Sequence, residues 1–349
     1  MTNKTKTFYI KTFGCQQNVR DSEIIADYYL NKGFKEAASI KSADVVILNS
    51  CSVREAAENR VRGLINNLKL LGKAKIVLTG CMVDLYGKHV LKNKIEGVNE
   101  FKSINDWQVN NSLSKKGFVN IMTGCNNFCS YCVVPYSRGR EISRPIKEII
   151  TEVNQLVKNG VIEIMLLGQN VNSYRKDPTS PRLRGASKTP FAELLTVFHE
   201  IPGIKKISFM TSNPWDLDDD IIQAMKLPKI DRYLHLPIQS GDNEVLKRMN
   251  RKYTVEQYLE LVKKIRRAVP EITIGTDIIV GFPGETNKAF QNTVNLCKKV
   301  NFVRAFVAMY SPRPKTAAFK LKDDVSHQEK RRRWLVLEKL INKNLNPTP

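Results

Sequence analysis

No stretch of this 349-residue chain approaches the roughly 18 unbroken apolar residues of a membrane-spanning helix. The start, Met-Thr-Asn-Lys-Thr-Lys, has no apolar signal-peptide core and leads straight into a strand-like run. Low-complexity segments and short internal repeats are missing as well. These absences argue against a helical membrane protein, an exported protein and a fibrous or disordered chain, so a cytoplasmic location without a membrane partner is expected. The composition, 42% hydrophobic and 26% charged with 8% aromatic, is that of an ordinary globular protein, and the length predicts two domains or one domain with a large extension. Acidic residues are scarce: 34 Asp and Glu face 56 Lys and Arg, leaving +22. Such an excess suits a polyanion such as nucleic acid, although a generally lysine-rich proteome is the plainer reading. The densest basic run is Lys330-Arg331-Arg332-Arg333.

Seven cysteines without an export signal argue against a disulfide framework, because a reducing compartment keeps thiols free for metal or catalysis. Their placement depends on the elements around them. Apolar periodicity predicts strands at 6–13, 44–48 and 75–78, with helices at 21–30 and 54–70 and a weaker one after the third strand. That alternation implies an α/β domain with a parallel sheet over residues 1–98. Residues 99–117 are polar and irregular and read as a linker.

Alternation resumes with strands at 119–122, 162–167, 207–210, 233–237, 272–280 and 302–310, separated by helical patterns at 146–158, 191–200, 218–225, 255–268 and 287–300. Six such units over 118–325 predict an open, partial β/α barrel, since a closed one needs about eight. Residues 175–188 read as a mobile surface loop. A charged helix at about 326–342 begins the last segment, 326–349, which ends in Asn-Pro-Thr-Pro.

Cys125, Cys129 and Cys132 form a C-x3-C-x2-C set directly after a strand. Three thiolates on one short loop can hold three corners of a cubane 4Fe-4S cluster, leaving one iron open because no fourth ligand is near. A structural zinc site is the alternative, but zinc wants four ligands and no fourth Cys or His lies close. The spacing, with the aromatic Tyr131 before the third cysteine, resembles the radical S-adenosylmethionine superfamily, in which S-adenosylmethionine chelates the open iron. Cys15, Cys51 and Cys81 each follow a predicted strand, and parallel strands gather their C-terminal ends on one sheet edge where open α/β folds place ligands. They read either as a second three-thiolate cluster or as three independent buried cysteines. Cys297 falls within an amphipathic helix pattern and reads as a packing residue.

Long motifs carry a further resemblance: Phe13-Gly14-Cys15-Gln16-Gln17-Asn18 with Asp21-Ser22-Glu23, Asn49-Ser50-Cys51-Ser52-Val53-Arg54, and Gly124-Cys125 through Arg138-Gly139 to Arg144-Pro145. Together they are similar to the methylthiotransferase family over nearly the whole chain. The runs 166–174, 210–214 and 234–241 are most similar to the bacterial branch that acts on isopentenyladenosine just 3′ of the tRNA anticodon. The resemblance implies two 4Fe-4S clusters and S-adenosylmethionine as cofactors. The cluster on Cys125, Cys129 and Cys132 would cleave S-adenosylmethionine to a radical, and the cluster on Cys15, Cys51 and Cys81 would carry sulfur, with no protein acid or base assigned. Adenine C2–H is neither acidic nor readily displaced, which fits radical chemistry. The same chemistry on threonylcarbamoyladenosine or on a ribosomal protein aspartate is the nearest enzyme alternative. A non-catalytic metal-bearing RNA-binding module is the alternative from another class.

Implied partners are the tRNA anticodon stem-loop, an electron donor such as flavodoxin or ferredoxin, and iron–sulfur assembly proteins, with the chain a monomer. Gly168, Gln169 and Asn170 end one predicted strand and Gln239 another, which makes them candidate S-adenosylmethionine contacts; the resemblance adds Tyr131 and Gly281, the latter in a turn that the family places near the adenine of S-adenosylmethionine, and shaping turns is the other reading of these glycines. His235 is either a packed imidazole or a working acid or base. Arg138, Arg140 and Arg144 are candidate tRNA phosphate contacts. Family members usually continue into a small β-barrel RNA-binding TRAM domain, which these residues do not contain, so either the form is truncated or the basic terminal helix and the two domains grip tRNA themselves.

Overall fold

The structure, a computed structural model, describes residues 5–72, 74–107, 109, 112–175 and 189–343. The chain divides into two units, Met1–Phe118 with Val133–Arg140, and Val119–Cys132 with Glu141–Pro349.

The first unit is a doubly covered parallel sheet. Strands β1 (Thr7–Thr12), β2 (Lys35–Glu36), β3 (Val45–Ser50), β4 (Lys75–Gly80) and β5 (Glu100–Phe101) lie in the order β2-β1-β3-β4-β5, all parallel. Every residue of β3 is buried, as its unbroken Val-Val-Ile-Leu run requires of a central strand packed on both faces. Helices α1 (Gln16–Asn31), α2 (Glu55–Leu71), α3 (Cys81–Tyr86) and α4 (Lys88–Lys92) follow their strands, and α5 (Val134–Ser137) returns to this unit from later in the chain. One cluster of core residues groups Phe8, Ile25, Tyr29, Ile47, Val77 and Trp107; the other centres on Val46, Leu48, Val61, Ile65, Leu78 and Met82. Each such large side chain contributes about 1.5–3 kcal/mol by leaving water. The stretch read as a linker supplies β5 and the buried Trp107, whose indole Nε1 donates to Thr79 Oγ1 at 2.8 Å.

The second unit is the partial barrel. Strands β6 (Phe118–Asn120), β9 (Glu163–Leu167) and β10 (Lys206–Phe209) form one sheet in the order β10-β9-β6, and β11 (Tyr233–His235), β12 (Thr273–Val280) and β13 (Arg304–Met309) form another. Ile207 bridges in parallel to Ile230, just ahead of β11, so the six strands follow one another in chain order. A short antiparallel pair, β7 (Met122–Thr123) and β8 (Ile142–Ser143), flanks the cysteine loop. Helices α6 (Ile146–Lys158), α7 (Pro190–Glu200), α8 (Asp219–Ala224), α9 (Asn243–Arg248), α10 (Val255–Ala268) and α11 (Asn287–Val300) follow, and α12 (His327–Ile341) packs on β13.

Sequence chemistry sets these helix ends. Thr254 and Gln257 make a reciprocal capping box for α10, and the Ser326 hydroxyl accepts from Glu329 N at α12. One strand face is fully buried, with Ile164, Leu166, Ile207, Leu234, Ile274 and Ile278 at 3% exposure or less. The other face is half-exposed, as at Met165, Ser208, Asp277 and Phe306. That inner wall is open, as the sequence predicts for an unclosed barrel. The mobile loop expected at 175–188 lies, except for Arg175, outside the described residues, as does the terminal Asn-Pro-Thr-Pro. Among the described residues no helix is long and apolar enough to cross a membrane.

Candidate functional site

In the first unit the three adjacent strands β1, β3 and β4 deliver Cys15, Cys51 and Cys81 to one sheet edge. Cys15 caps α1, Cys51 follows β3 directly, and Cys81 opens α3. Cys15 is exposed, whereas Cys51 and Cys81 are buried. The thiols lie within electrostatic reach of one another: burial pushes the Cys51 thiol up, and Cys15 adds to the rise. Burial likewise pushes Cys81 up to about 12, against the pull of Arg138. Two glycines make room. Gly14, at φ +114°, lies so close that a Cβ would stand 3.0 Å from Cys51 Cβ, and one on Gly80, at φ +90°, would stand 2.5 Å from Asn49 Oδ1.

Beneath the thiols runs a buried polar network that accounts for the first motifs. Asn49 Nδ2 donates to Asn18 O at 2.8 Å and to Ser22 Oγ at 2.9 Å, while Asn18 Nδ2 donates to Ser50 O at 2.9 Å. The Cys15 thiol donates to Asn18 Oδ1 at 3.6 Å. Arg138 joins this network: Nε donates to Cys81 Sγ at 3.3 Å and a terminal nitrogen donates to Asp21 Oδ2 at 2.6 Å. Its side chain is 7% exposed, so the expectation that Arg138 meets tRNA phosphates fails here. Arg144 is held by Glu152 at 2.7 Å and by Asn120 O at 2.6 Å, and so is committed internally as well.

In the second unit Cys125, Cys129 and Cys132 lie on the loop after β7. Gly124 N donates to Gln169 Oε1 at 2.6 Å, Ser130 N donates to Met249 O at 3.0 Å, and Asn250 Nδ2 donates to Phe128 O at 3.0 Å. Gln169 therefore holds the cysteine loop, and Gly168 allows β7 close, since a Cβ there would meet Met122 Cγ at 2.5 Å. Burial pushes the Cys125 thiol up to about 11. A second arginine, Arg251, donates to Cys129 Sγ at 3.4 Å and to Pro237 O at 3.1 Å, and lies 4.6 Å above the Trp215 ring. Each cysteine set thus has a buried guanidinium aimed at one sulfur. Permanent positive charge of this kind favours thiolates, which is what a cluster requires and what burial alone opposes.

Further buried polar atoms converge where β9 and β10 end. Asn170 Nδ2 donates to Asp216 Oδ2 at 2.6 Å, but Asn170 Oδ1, Asn172 Oδ1, Ser212 Oγ and Asn213 Oδ1 have no hydrogen-bond partner among the described residues. Thr211 and Gln239, which follow β10 and β11, hold φ of 69° and 70°, a region that non-glycine residues seldom occupy. Orphaned groups and strained backbone thus coincide at these strand ends, where open α/β folds place ligands. Gly281 donates to Glu285 Oε2 at 2.6 Å, and Tyr131 packs beside the buried cluster of Phe282 and Tyr310. His235 is held on both nitrogens, by Tyr233 Oη at 3.2 Å and by Asp277 Oδ2 at 3.0 Å. Among the described residues no three His, Cys, Asp or Glu side chains converge on a single ion; a cubane binds each thiolate to a different iron.

The terminal basic run is also largely internal. Lys330 Nζ bonds both Asp323 oxygens at 2.6 Å, Arg333 pairs with buried Glu285 at 2.7 Å, and Arg332 pairs with Glu329 at 2.7 Å. Lys330 and Arg333 are therefore unavailable for gripping RNA, because they fasten α12 to the barrel.

The radical SAM superfamily pattern matches residues 119–297, and the pattern of an uncharacterized protein family, UPF0004, matches residues 7–100. The tRNA-2-methylthio-N(6)-dimethylallyladenosine synthase of Clostridium tetani is 42% identical across 98% of this chain and 82% of its own length. This chain belongs to that family of methylthiotransferases. The synthase of a Thermoanaerobacter strain is also 42% identical, over 98% of this chain and 79% of its own length. Among solved structures the family's α/β architecture has a counterpart in the radical S-adenosylmethionine methyltransferase TsrM from Kitasatospora setae, with TM-score 0.63 at 13% identity over 90% of this chain and 77% of that one. The cobalamin-dependent radical enzyme OxsB matches with TM-score 0.53 at 9% identity over 97% of this chain and 56% of that one.

Proposed function

We propose that this enzyme attaches a methylthio group to C2 of N6-isopentenyladenosine beside the tRNA anticodon. The observation that carries the reading is the duplicated arrangement of three cysteines with one buried arginine, in a chain that spans about four-fifths of the length of relatives bearing that synthase name. The first unit holds the sulfur-carrying 4Fe-4S cluster through Cys15, Cys51 and Cys81, and the second holds the radical-forming one through Cys125, Cys129 and Cys132. When bound, the clusters and S-adenosylmethionine supply the reducing electron, the hydrogen-abstracting radical and the methylated sulfur.

The chain's own side chains bind and orient. Arg138 and Arg251 support thiolate charge, Gln169 fixes the cysteine loop, and Asn170, Ser212 and Asn213 offer unpaired polar atoms to S-adenosylmethionine at the strand ends. Gln239 and Gly281 stand at the ends of neighbouring strands and suit the same ligand, with Tyr131 on the cysteine loop. The net charge of +22 favours an RNA substrate. A small reductant protein such as flavodoxin or ferredoxin supplies electrons, iron–sulfur assembly proteins load the clusters, and the chain works as a cytoplasmic monomer.

Mass spectrometry of tRNA nucleosides from cells that lack their own methylthiotransferase and express this chain tests the reading. A methylthio-isopentenyladenosine peak is expected. Unmodified isopentenyladenosine with a methylthiolated threonylcarbamoyladenosine, or with a methylthiolated ribosomal protein, would overturn the substrate assignment.

A further inference from the structure

On the inner wall of the partial barrel one carboxylate is oriented but only half used. Asp277, in β12, accepts at Oδ2 from His235 Nε2 across 3.0 Å, and His235, 3% exposed, is itself braced at Nδ1 by Tyr233 Oη at 3.2 Å. Tyr233 crosses above Gly275, where any Cβ would collide with its hydroxyl. Asp277 is 35% exposed, and among the described residues no hydrogen bond reaches its Oδ1. In a chain of +22, no lysine or arginine among the described residues pairs with this carboxylate. Its register partner on β13 is Phe306, an exposed ring on the same face that packs 5.6 Å from His235. Arg304 lies 6.0 Å from that ring and has no carboxylate partner among the described residues.

A fixed acceptor beside an exposed aromatic face, with an unpaired cation next to it, is the equipment that reads an unstacked RNA base: the ring stacks, the carboxylate takes an N–H, and the cation meets phosphate. Asp277 stands three residues before the end of β12 at Val280, and its backbone oxygen accepts from Gln239 N at 2.8 Å, so the side chain lies below the strand ends that carry the orphaned polar atoms. We propose that Asp277 and Phe306 seat the target adenine, with Asp277 Oδ1 accepting the single N6–H that a mono-alkylated adenine retains and Phe306 stacking on the ring. This rests on the tRNA reading above. A carboxylate cannot donate, so an N6,N6-dialkylated adenine leaves it without a partner, and the site selects mono-substituted over di-substituted bases.

The ligand chemistry is an adenine bearing an N6–H, which S-adenosylmethionine also carries, and the experiment separates the two sources. The cluster-loaded enzyme is titrated with anticodon stem-loops carrying N6-isopentenyladenosine or N6-isopentenyl-N6-methyladenosine, and the Michaelis constant for S-adenosylmethionine is measured from 5′-deoxyadenosine release without RNA. The wild type is expected to bind the first RNA roughly ten- to hundred-fold more tightly. Asp277→Ala is expected to bind both alike, Phe306→Leu to weaken both about ten-fold, and neither to change the constant for S-adenosylmethionine. Equal wild-type affinities would overturn the proposal without needing any variant to fold. Discrimination that persists in Asp277→Ala would overturn it as well, as would a raised S-adenosylmethionine constant with RNA binding intact, which would assign the seat to the cofactor. Failure of the wild type to methylthiolate the isopentenyl stem-loop would instead sink the substrate reading itself.

Discussion

The guanidinium of Arg138 spans from the sulfur of Cys81, 3.3 Å from Nε, to the carboxylate of Asp21, 2.6 Å from a terminal nitrogen. The Arg138 and Asp21 side chains are 7% and 6% exposed, so neither charge has water to fall back on. Arg138→Gln leaves Asp21 buried and unpaired, and the expected loss is about 3–5 kcal/mol in chemical denaturation. Adding Asp21→Asn removes the stranded charge and should recover most of that loss. If the double variant were no more stable than the single one, the ion pair would not be the source of the effect.

Replacing Cys15, Cys51 and Cys81 together by Ala is expected to halve the iron content. S-adenosylmethionine cleavage under dithionite should survive while methylthiolation disappears. Replacing Cys125, Cys129 and Cys132 should abolish both activities. Iron analysis, 5′-deoxyadenosine release and nucleoside mass spectrometry read the three quantities separately. Methylthiolated tRNA from the first variant would contradict the division of labour between the two cysteine sets.

At the terminal helix, Arg333 is buried against Glu285 at 2.7 Å, whereas Arg331 is exposed. Arg333→Gln should therefore lower stability by about 3–5 kcal/mol, the value for breaking a buried pair. Affinity for tRNA per folded molecule should stay unchanged. Arg331→Glu should do the reverse, weakening RNA binding with a shallower salt dependence and little change in unfolding.

Cys297 stands apart from both cysteine sets, 2% exposed in α11, and burial pushes its thiol up to about 12 from an ordinary 9.0. Between those values the unfolded chain ionises this thiol and the folded chain does not. Its contribution to stability is complete below about pH 9 and falls away as pH rises towards 12. Cys297→Ala should flatten that part of the pH–stability curve and leave both activities intact.

Much of the architecture is legible in apolar spacing. Helices α6, α10 and α11 begin and end where the pattern predicts, because each carries a continuous apolar stripe and a clear stop. α1 begins at Gln16, five residues before the expected start at 21, because Gln17, Asn18 and Arg20 in its first turns are polar yet buried, which hides the period. α9, at six residues, and β2 and β5, at two each, are too short to show any.

The six clustered cysteines are readable because each set sits at strand ends or at fixed spacing. Arg138 and Arg251 are not, since they reach Cys81 and Cys129 from 57 and 122 positions away in sequence. No local pattern encodes such partners. The Asp277–His235 pair is hidden in the same way, 42 positions apart, and only the inward-facing register of β11 and β12 brings it together.

The return of Val133–Arg140 to the first unit has a consequence for synthesis on the ribosome. The sheet of that unit is complete once β5 has emerged, but the sulfur of Cys81 and the carboxylate of Asp21 lack their cation until residue 138 follows. The nascent sheet is therefore left with an unfinished charge at its cysteine edge. The cysteine edge of the first sheet therefore gains the charge that favours its thiolates only after the loop of Cys125, Cys129 and Cys132 has been made.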